Sequence, residues 1–216
     1  MNIVMITNLS YYLPELALIA AMVLGLFAIA FSGSRDQSDK IVFGLTMLLL
    51  MVSYILLNNM MFAVPRTIFS SALVIDRFGT LFKIIMVIGT IAAIYLGRFS
   101  QDILPEIKSE FSIIVIGVLV GGMLLASANN LLIVYLGVET LSILSYALAS
   151  FNRKNNKSSE AGLKYALYGG ISAGLMLFGM GHIYGVLGTI QFEGIADVLS
   201  GLTLSDISIL LPSFLL

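Results

Sequence analysis

Two ionisable side chains stand inside long apolar runs of this 216-residue chain, where a charge is costly. Glu139 lies eight residues into the run from Leu131 to Phe151, and Lys164 lies about one helical turn into the run that begins at Ala161. If these runs cross a lipid bilayer as helices, an ionised carboxylate at Glu139 costs at least ~2.5 kcal/mol. A buried acid of this kind is typical of a pathway that takes up and releases protons.

Both residues belong to polar stripes, which are rows of polar side chains along one face of a predicted helix. Steps of three or four residues from Glu139 meet Tyr135, Ser142 and Tyr146. The same steps from Lys164 meet Tyr168, Ser172, Gly179 and His182. If the two stripes face each other, we expect the carboxylate and the ammonium to couple through one or two waters rather than by direct contact.

Such an acid and base could convert movement into proton uptake. A cation near a buried carboxylate stabilises the ionised form, so moving the cation away favours protonation. Two structural alternatives stay open. Glu139 could be a protonated side chain that makes one hydrogen bond between helices, and Lys164 could extend its ammonium to the aqueous interface as a snorkelling lysine.

Other residues are weaker candidates. Lys83 lies seven residues after Asp76, and the two could line a pathway or anchor the boundary of one helix. His182 could relay protons or pack near the membrane interface. Repeated Gly-x-x-x-Gly steps predict close helix packing, and they join Gly117 to Gly121, Gly170 to Gly174 and Gly181 to Gly185.

The elements that would position these residues are transmembrane helices. Hydrophobic residues make up 59% of the chain and charged residues only 11%, against ~25% in soluble domains, which excludes a soluble globule. Only Glu15, Lys83, Glu139 and Lys164 are charged residues within or at the edge of the long apolar runs. We predict an all-α, polytopic helix bundle with six complete spans: Leu13 to Phe31, Ile41 to Val64, Phe78 to Leu96, Phe111 to Ala128, Leu131 to Phe151, and Ala161 to about Ile190.

A seventh span is predicted to begin at Asp206 and to stop at Leu216 after roughly half a bilayer, so we expect the N-terminal part of a longer protein. The absence of cysteine excludes disulfides, thiolate metal sites and iron–sulfur ligation in this chain. The net charge of −1 argues against a nucleic-acid partner. Loop cations predict the N-terminus on the outer side, because the loops that would then face inward carry Arg35, Lys40, Arg98, Lys108, Arg153, Lys154 and Lys157.

Four segments around the candidate residues resemble a known family. They run from Leu125 to Ser142 (LASANNLLIVYLGVETLS), Tyr146 to Arg153, Ser158 to Tyr165 and Gly181 to Thr189. These segments are similar to the subunit N (chain 2) type of NADH-quinone oxidoreductase, respiratory complex I. Two further segments, Asp76 to Lys83 and Leu13 to Leu16, resemble the openings of that family's third and first helices.

The resemblance implies a membrane-arm subunit with an antiporter-like fold of fourteen helices and two inverted repeats. Residues 1–110 would form three N-terminal spans, and residues 111–216 would begin the first repeat. The chain would contribute a proton half-channel to an enzyme complex, with its proton-transfer residues at Glu139 and Lys164. NAD, FMN, iron–sulfur clusters and quinone are expected on other subunits, with no cofactor or metal in this chain. The partners would be other membrane-arm subunits, lipid and protons, in a bacterial inner membrane or a mitochondrial inner membrane.

Two alternatives remain beside this hypothesis. A subunit of a multisubunit sodium/proton antiporter would share the glutamate and lysine helices, although the Asp76 to Lys83 signature argues against it. A non-conducting scaffold would pack in the membrane and transfer no protons. The family's later lysines have no counterpart here, because the sequence ends before the segments that carry them.

Overall fold

A computed structural model describes residues 8–101, 103–152 and 155–201, with only the backbone described at Glu106. Within these residues the chain is a helix bundle with one small β-hairpin. We number the elements in chain order as follows: α1 Leu13–Phe31, α2 Arg35–Met60, β1 Arg66–Ile68, β2 Leu73–Ile75, α3 Arg77–Phe99, α4 Lys108–Ala126, α5 Leu131–Ala149, α6 Asn156–Leu187 and α7 Phe192–Ser200.

The six helices α1 to α6 are long and apolar enough to cross a membrane, which confirms the six predicted spans and the all-α class. Helix α6 begins at Asn156, earlier than the predicted apolar run, and its 32 residues are about 48 Å long. Helix α7 was not predicted, and its nine residues are too short to span a bilayer. The seventh span predicted from Asp206 lies outside the described residues. The domain boundary at residue 110 stays a prediction.

Short polar side chains set the starts of several helices. The carboxylate of Asp76 accepts a hydrogen bond from the backbone N–H of Gly79 at 2.7 Å, and Asn130 caps α5 through the N–H of Ile133 at 2.8 Å. Gly188 ends α6 in the left-handed region, with φ of 70°, where a glycine has no side-chain clash. These caps fix where the spans enter and leave the bundle.

Helices α1 to α4 form one packed unit. Helix α1 packs against α2 and α4, and α3 also packs against α2 and α4, so that α1 and α3 lie diagonally opposite each other. Helix α5 packs on the outside of this unit against α4, and α6 packs against α5. The fully buried core therefore comes from the first four helices, and it includes Leu18, Leu50, Leu57, Val87, Ile116 and Met123.

The hairpin covers one end of the bundle, which we call the hairpin end. Its strands pair antiparallel with Arg66 opposite Ile75, and its buried side chains Ile68, Leu73 and Ile75 pack against residues that include Tyr12 and Leu124. The N–H of Val74 donates to the carbonyl of Ser127 at 2.8 Å, in the loop between α4 and α5. This hydrogen bond ties the hairpin to the start of the helix that carries Glu139.

Candidate functional site

Glu139 lies in the middle of α5, a helix of 19 residues that is about 28 Å long. Its side chain is half-buried. Among the described residues, no hydrogen bond or ion pair compensates its carboxylate. The predicted compensating group is therefore not supplied by this part of the chain.

The face of α5 that carries Glu139 is turned toward α6. At 100° per residue, Glu139 lies within about 20° of both Tyr146 and Ser150 around the helix. The ring of Tyr146 packs edge-on against Tyr165 of α6, with the ring centroids 4.7 Å apart. Ser150 touches Gly162 of α6, since a Cβ added at that glycine would lie 3.1 Å from the Cα of Ser150. Glu139 thus shares the α6-facing side of its helix.

Lys164 points the other way, so the described structure does not meet the condition for coupling through water, that the two polar stripes face each other. The residues of α6 that are buried against the bundle are Gly162, Ala173 and Leu187. Lys164 lies about 200° around the helix from Gly162, and its ammonium pairs with Glu160 one turn earlier on α6. The side chain of Lys164 is 65% exposed. Its stripe forms an uncovered face of the described structure, on which Tyr168 is 72% exposed.

The two contacts described above fix the alignment of α5 with α6. When this alignment is extended along both helices, Glu139 lies about level with Ala173. Nine residues of α6 then separate that level from Lys164, an axial distance of about 14 Å. Direct contact is excluded by this distance and by the opposite orientation of the two faces. His182, nearer the hairpin end on the Lys164 stripe, places its Nδ1 3.3 Å from the carbonyl oxygen of Phe178 in its own helix.

An ion pair in the interior of the bundle joins Lys83 to Glu15. Lys83 Nζ lies 2.6 Å from Glu15 Oε1, and the two side chains are 7% and 2% exposed. Asp76 caps the start of α3, as the boundary interpretation of Asp76 and Lys83 predicts, whereas Lys83 pairs with Glu15 and not with Asp76. The sequence offered one signal, since Glu15 and Lys83 are both charged residues in apolar runs, but they are 68 positions apart.

At the hairpin end, the phenol of Tyr12 precedes α1. Burial, with the nearby charge of Glu15 as the second cause, raises the pKa of Tyr12 to about 12. The phenol therefore stays protonated at physiological pH and remains a hydrogen-bond donor.

The opposite end of the bundle carries a second charged group. Arg98 pairs with Asp39 at 2.9 Å, and its guanidinium lies 4.3 Å from the centre of the Phe43 ring. Arg35 pairs with Glu110 at 3.5 Å. These contacts link α2 to α3 and α4 at the end that lacks the hairpin.

Glycines explain how closely α5 approaches its neighbours. The packing predicted at Gly117 and Gly121 is confirmed, since an added Cβ would lie 2.7 Å from Leu144 and 3.1 Å from the backbone of Leu141. Among the described residues nothing lies within 4 Å of a Cβ added at Gly170, Gly174, Gly181 or Gly185, so the packing predicted for this glycine face of α6 stays a prediction. The close α6 contacts are made by Gly162 and Gly169 instead.

The α5–α6 contact can be tested with a pair of glycine variants. Gly162→Ala forces a Cβ into Ser150, and we expect a loss of ~1–3 kcal/mol in stability from overpacking. Gly170→Ala meets open space in the described structure, and it should leave stability unchanged or raise it by up to ~1 kcal/mol through helix propensity. Thermal unfolding of the purified variants measures both effects. Equal melting of the two variants would contradict this packing.

Comparison with known proteins identifies relatives over most of the chain. Residues 128–216 match the family described as NADH:quinone oxidoreductase/Mrp antiporter, TM. NADH-quinone oxidoreductase subunit N of Bartonella bacilliformis is 38% identical over 198 residues, which cover 91% of this chain and 39% of the relative. The chain spans about 40% of the length of the curated relatives it matches.

Two solved structures share the fold. A chain of the archaeal membrane-bound sulfane sulfur reductase, a respiratory membrane complex, matches with a TM-score of 0.76 and 18% identity, over 96% of this chain and 43% of the other. A chain of respiratory complex I from Thermus thermophilus, with bound aureothin, matches with a TM-score of 0.66 and 24% identity, over 82% of this chain and 38% of the other. At these identities the structures establish the helix arrangement alone.

Proposed function

Because residues 128–216 match the NADH:quinone oxidoreductase/Mrp antiporter family and the similar curated proteins are named subunit N, we propose that this chain is the N-terminal part of a proton-translocating subunit N of an NADH:quinone oxidoreductase. It is a multi-pass membrane protein with six spans in its described part. As a component of an enzyme complex it would carry protons across the membrane while NADH is oxidised and quinone reduced on other subunits. NAD, FMN and iron–sulfur clusters would also be held by those subunits.

One observation carries the proposal: the carboxylate of Glu139, half a helix length from either end of α5, has no protein partner among the described residues. An acid at this depth is tolerated when it is neutral or when water or a base reaches it. Since Glu139 is on the α6-facing side of α5, such water would lie between these two helices. A group with these properties can accept a proton from one side and release it to another.

Lys164 would act on the face of α6 that is turned away from α5. Its stripe includes the hydroxyls of Tyr168 and Ser172, which are exposed in the described structure and which are not groups expected to face acyl chains. The chain spans about 40% of its relatives, and further helices of a longer protein would cover this face. We propose that Lys164 passes protons between the Glu139 region and those helices.

The charged end of the bundle supports the orientation that we propose. Arg35, Arg98 and Lys108 all lie at the end opposite the hairpin, where cationic loops are expected to face the cytoplasm or the mitochondrial matrix. The hairpin end and the N-terminus would then lie on the outer side of a bacterial inner membrane or a mitochondrial inner membrane. Other membrane-arm subunits would be the partners of the exposed helix faces.

A sodium/proton antiporter subunit is the second candidate, because the matched family description includes the Mrp antiporter. The curated relatives are named as subunit N, which favours the oxidoreductase. Proton transport that depends on NADH oxidation and does not require sodium would indicate the oxidoreductase subunit rather than the antiporter subunit.

Lys164 variants test the proposed function in the full-length protein within its complex. Lys164→Ala should slow NADH-driven proton pumping in inverted membrane vesicles several-fold, because the exchangeable cation is lost. Lys164→Arg should retain part of the rate, because the charge survives while proton release from guanidinium is unfavourable. Lys157→Ala, on the exposed first turn of the same helix, is the matched control and should pump normally. Equal pumping by all variants would favour a snorkelling lysine and contradict the proposal.

A further inference from the structure

Two cavities adjoin each other at the end of the bundle opposite the hairpin. The first, which we call the polar cavity, has a volume of about 200 Å³, lies where α1 ends and α2 and α4 begin, and is lined by serines that include Ser32, Ser38 and Ser109. The second, which we call the apolar cavity, has a volume of about 500 Å³, lies between α1, α4 and α5, and has a lining that includes Leu26, Ile113, Ile114 and Ala147. Arg35 and Glu110 line both cavities, so a polar space and an apolar space meet at two opposite charges.

Ser109 presents an unused hydroxyl to the polar cavity. The residue is 7% exposed, and within the described part of the chain its side chain has no hydrogen-bond partner. Two other serines of the cavity are satisfied by backbone, since Ser32 donates to the carbonyl of Ser34 at 3.1 Å and Ser38 donates to the carbonyl of Arg35 at 2.8 Å. A buried hydroxyl without a partner is costly, so an acceptor atom in this cavity would be stabilised.

Arg35 and Glu110 place charges of opposite sign where the two cavities join. A guanidinium nitrogen of Arg35 lies 3.5 Å from Oε1 of Glu110, which is longer than the ~2.7–2.9 Å of a strong charge-assisted hydrogen bond. The two side chains are 71% and 35% exposed, so both are accessible to a ligand. The start of α4 adds a positive potential, because Ile107 supplies no side-chain cap to its first-turn N–H groups. The junction therefore suits a ligand that carries an anionic group and a cationic group side by side.

The apolar cavity extends the site into the membrane. Leu26 is five residues before the end of α1, and Ile114 is six residues after the start of α4, so the cavity reaches about 8 to 9 Å into the spans. Leu26 is 56% exposed, which leaves the cavity open to the outside of the described bundle. A free phosphate would leave this apolar space unfilled, whereas a phospholipid has a hydrocarbon chain for it.

We propose that the two cavities bind one phosphatidylethanolamine molecule. Its phosphate would accept hydrogen bonds from Arg35 and Ser109, and its ammonium would pair with Glu110. The first part of one acyl chain would lie in the apolar cavity. Phosphatidylglycerol has no cation for Glu110, and the quaternary ammonium of phosphatidylcholine has no N–H to donate to it, so the headgroup charges select among the three lipids.

This site is independent of the proposed proton path. The headgroup contacts the first turns of α2 and α4, whereas Glu139 lies on α5 and Lys164 on α6. Binding of a lipid requires no proton transfer. The lipid site can therefore fail while the proposed function holds, and the reverse is also true.

Native mass spectrometry of the purified full chain in detergent tests the proposal by titration with three phospholipids that have identical acyl chains. We expect phosphatidylethanolamine to bind about tenfold more tightly than phosphatidylglycerol or phosphatidylcholine, because one additional charge-assisted contact distinguishes it. Phosphatidylcholine also reports the unspecific binding of lipid to the apolar surface of the spans.

Three variants locate the binding. Glu110→Gln should abolish the preference for phosphatidylethanolamine over phosphatidylglycerol, because the partner of the ammonium is lost. Ser109→Val should weaken phosphatidylethanolamine binding several-fold, because it removes the donor to the phosphate without changing any charge. Lys40→Gln, which breaks an exposed ion pair with Asp36 at the same end but outside both cavities, is the matched control and should bind like the unmodified protein.

Three results would overturn the inference. Equal binding of the three lipids by the unmodified protein would show that the cavities select no headgroup. Tightest binding of phosphatidylglycerol would indicate an anionic rather than a zwitterionic ligand. A preference for phosphatidylethanolamine that survives in Glu110→Gln would show that the lipid is selected elsewhere on the protein.

Discussion

We expect the Lys83→Met variant to assemble poorly, so that the membrane contains only a small part of the normal amount of this protein. The change leaves Glu15 as an unpaired carboxylate in the interior of the α1–α4 unit, where its side chain is 2% exposed. Removing one partner of a buried ion pair typically destabilises a protein by ~3–5 kcal/mol, which is a large part of a normal folding free energy. Quantification of the subunit in the purified complex, with thermal unfolding of what remains, measures the loss.

The double variant Glu15→Met/Lys83→Met tests whether the two charges only neutralise each other or have a further role. An apolar pair of similar volume removes both charges together, and such replacements are often neutral or stabilising. We therefore expect the double variant to assemble far better than Lys83→Met alone. Lys40→Met, which breaks the exposed pair with Asp36, is the surface control and should assemble normally. A double variant as defective as the single one would show that the charges do more than compensate each other.

The spans could be predicted from the sequence because the bilayer imposes one simple requirement on them. A helix that crosses hydrocarbon needs about 20 apolar residues, and all six runs satisfy this. The same criterion misplaced the start of α6, because a helix can continue beyond the bilayer through polar residues such as Asn156 to Glu160. The hairpin was missed because strands of three residues, Arg66–Ile68 and Leu73–Ile75, are too short for a periodic pattern.

Side-chain partners were harder to predict than helices. Helical periodicity correctly grouped Glu139 with Tyr146, but it gives only relative angles on one helix. The direction of Lys164 is decided by Gly162, whose missing side chain lets α6 approach Ser150 and turns the opposite face outward. The Glu15–Lys83 pair could not be predicted for a similar reason, because it depends on how α1 and α3 are placed across α2 and α4.

Glu139→Gln is expected to reduce proton pumping strongly while leaving the protein assembled. Glutamine has nearly the shape of glutamate and can still form hydrogen bonds, with an NH2 donor in place of one oxygen, but it neither accepts nor releases a proton at physiological pH. Loss of a proton-transfer group typically slows its own step by ~10²–10⁴-fold, so the path through this subunit should close. The measurement is the number of protons pumped per electron in vesicles that oxidise NADH.

Two further variants sharpen that result. Glu139→Asp keeps a carboxylate one methylene farther from α6, and it should retain part of the pumping that Glu139→Gln loses. Glu193→Gln makes the same chemical change on exposed α7, outside the six spans, and should pump normally. If Glu139→Gln pumps as many protons per electron as the unmodified protein, Glu139 is a structural residue, and the described helices serve as a scaffold for conduction elsewhere. If Glu139→Gln fails while Glu139→Asp pumps, the carboxylate itself is required, because aspartate changes the size of the side chain more than glutamine does and yet only aspartate titrates.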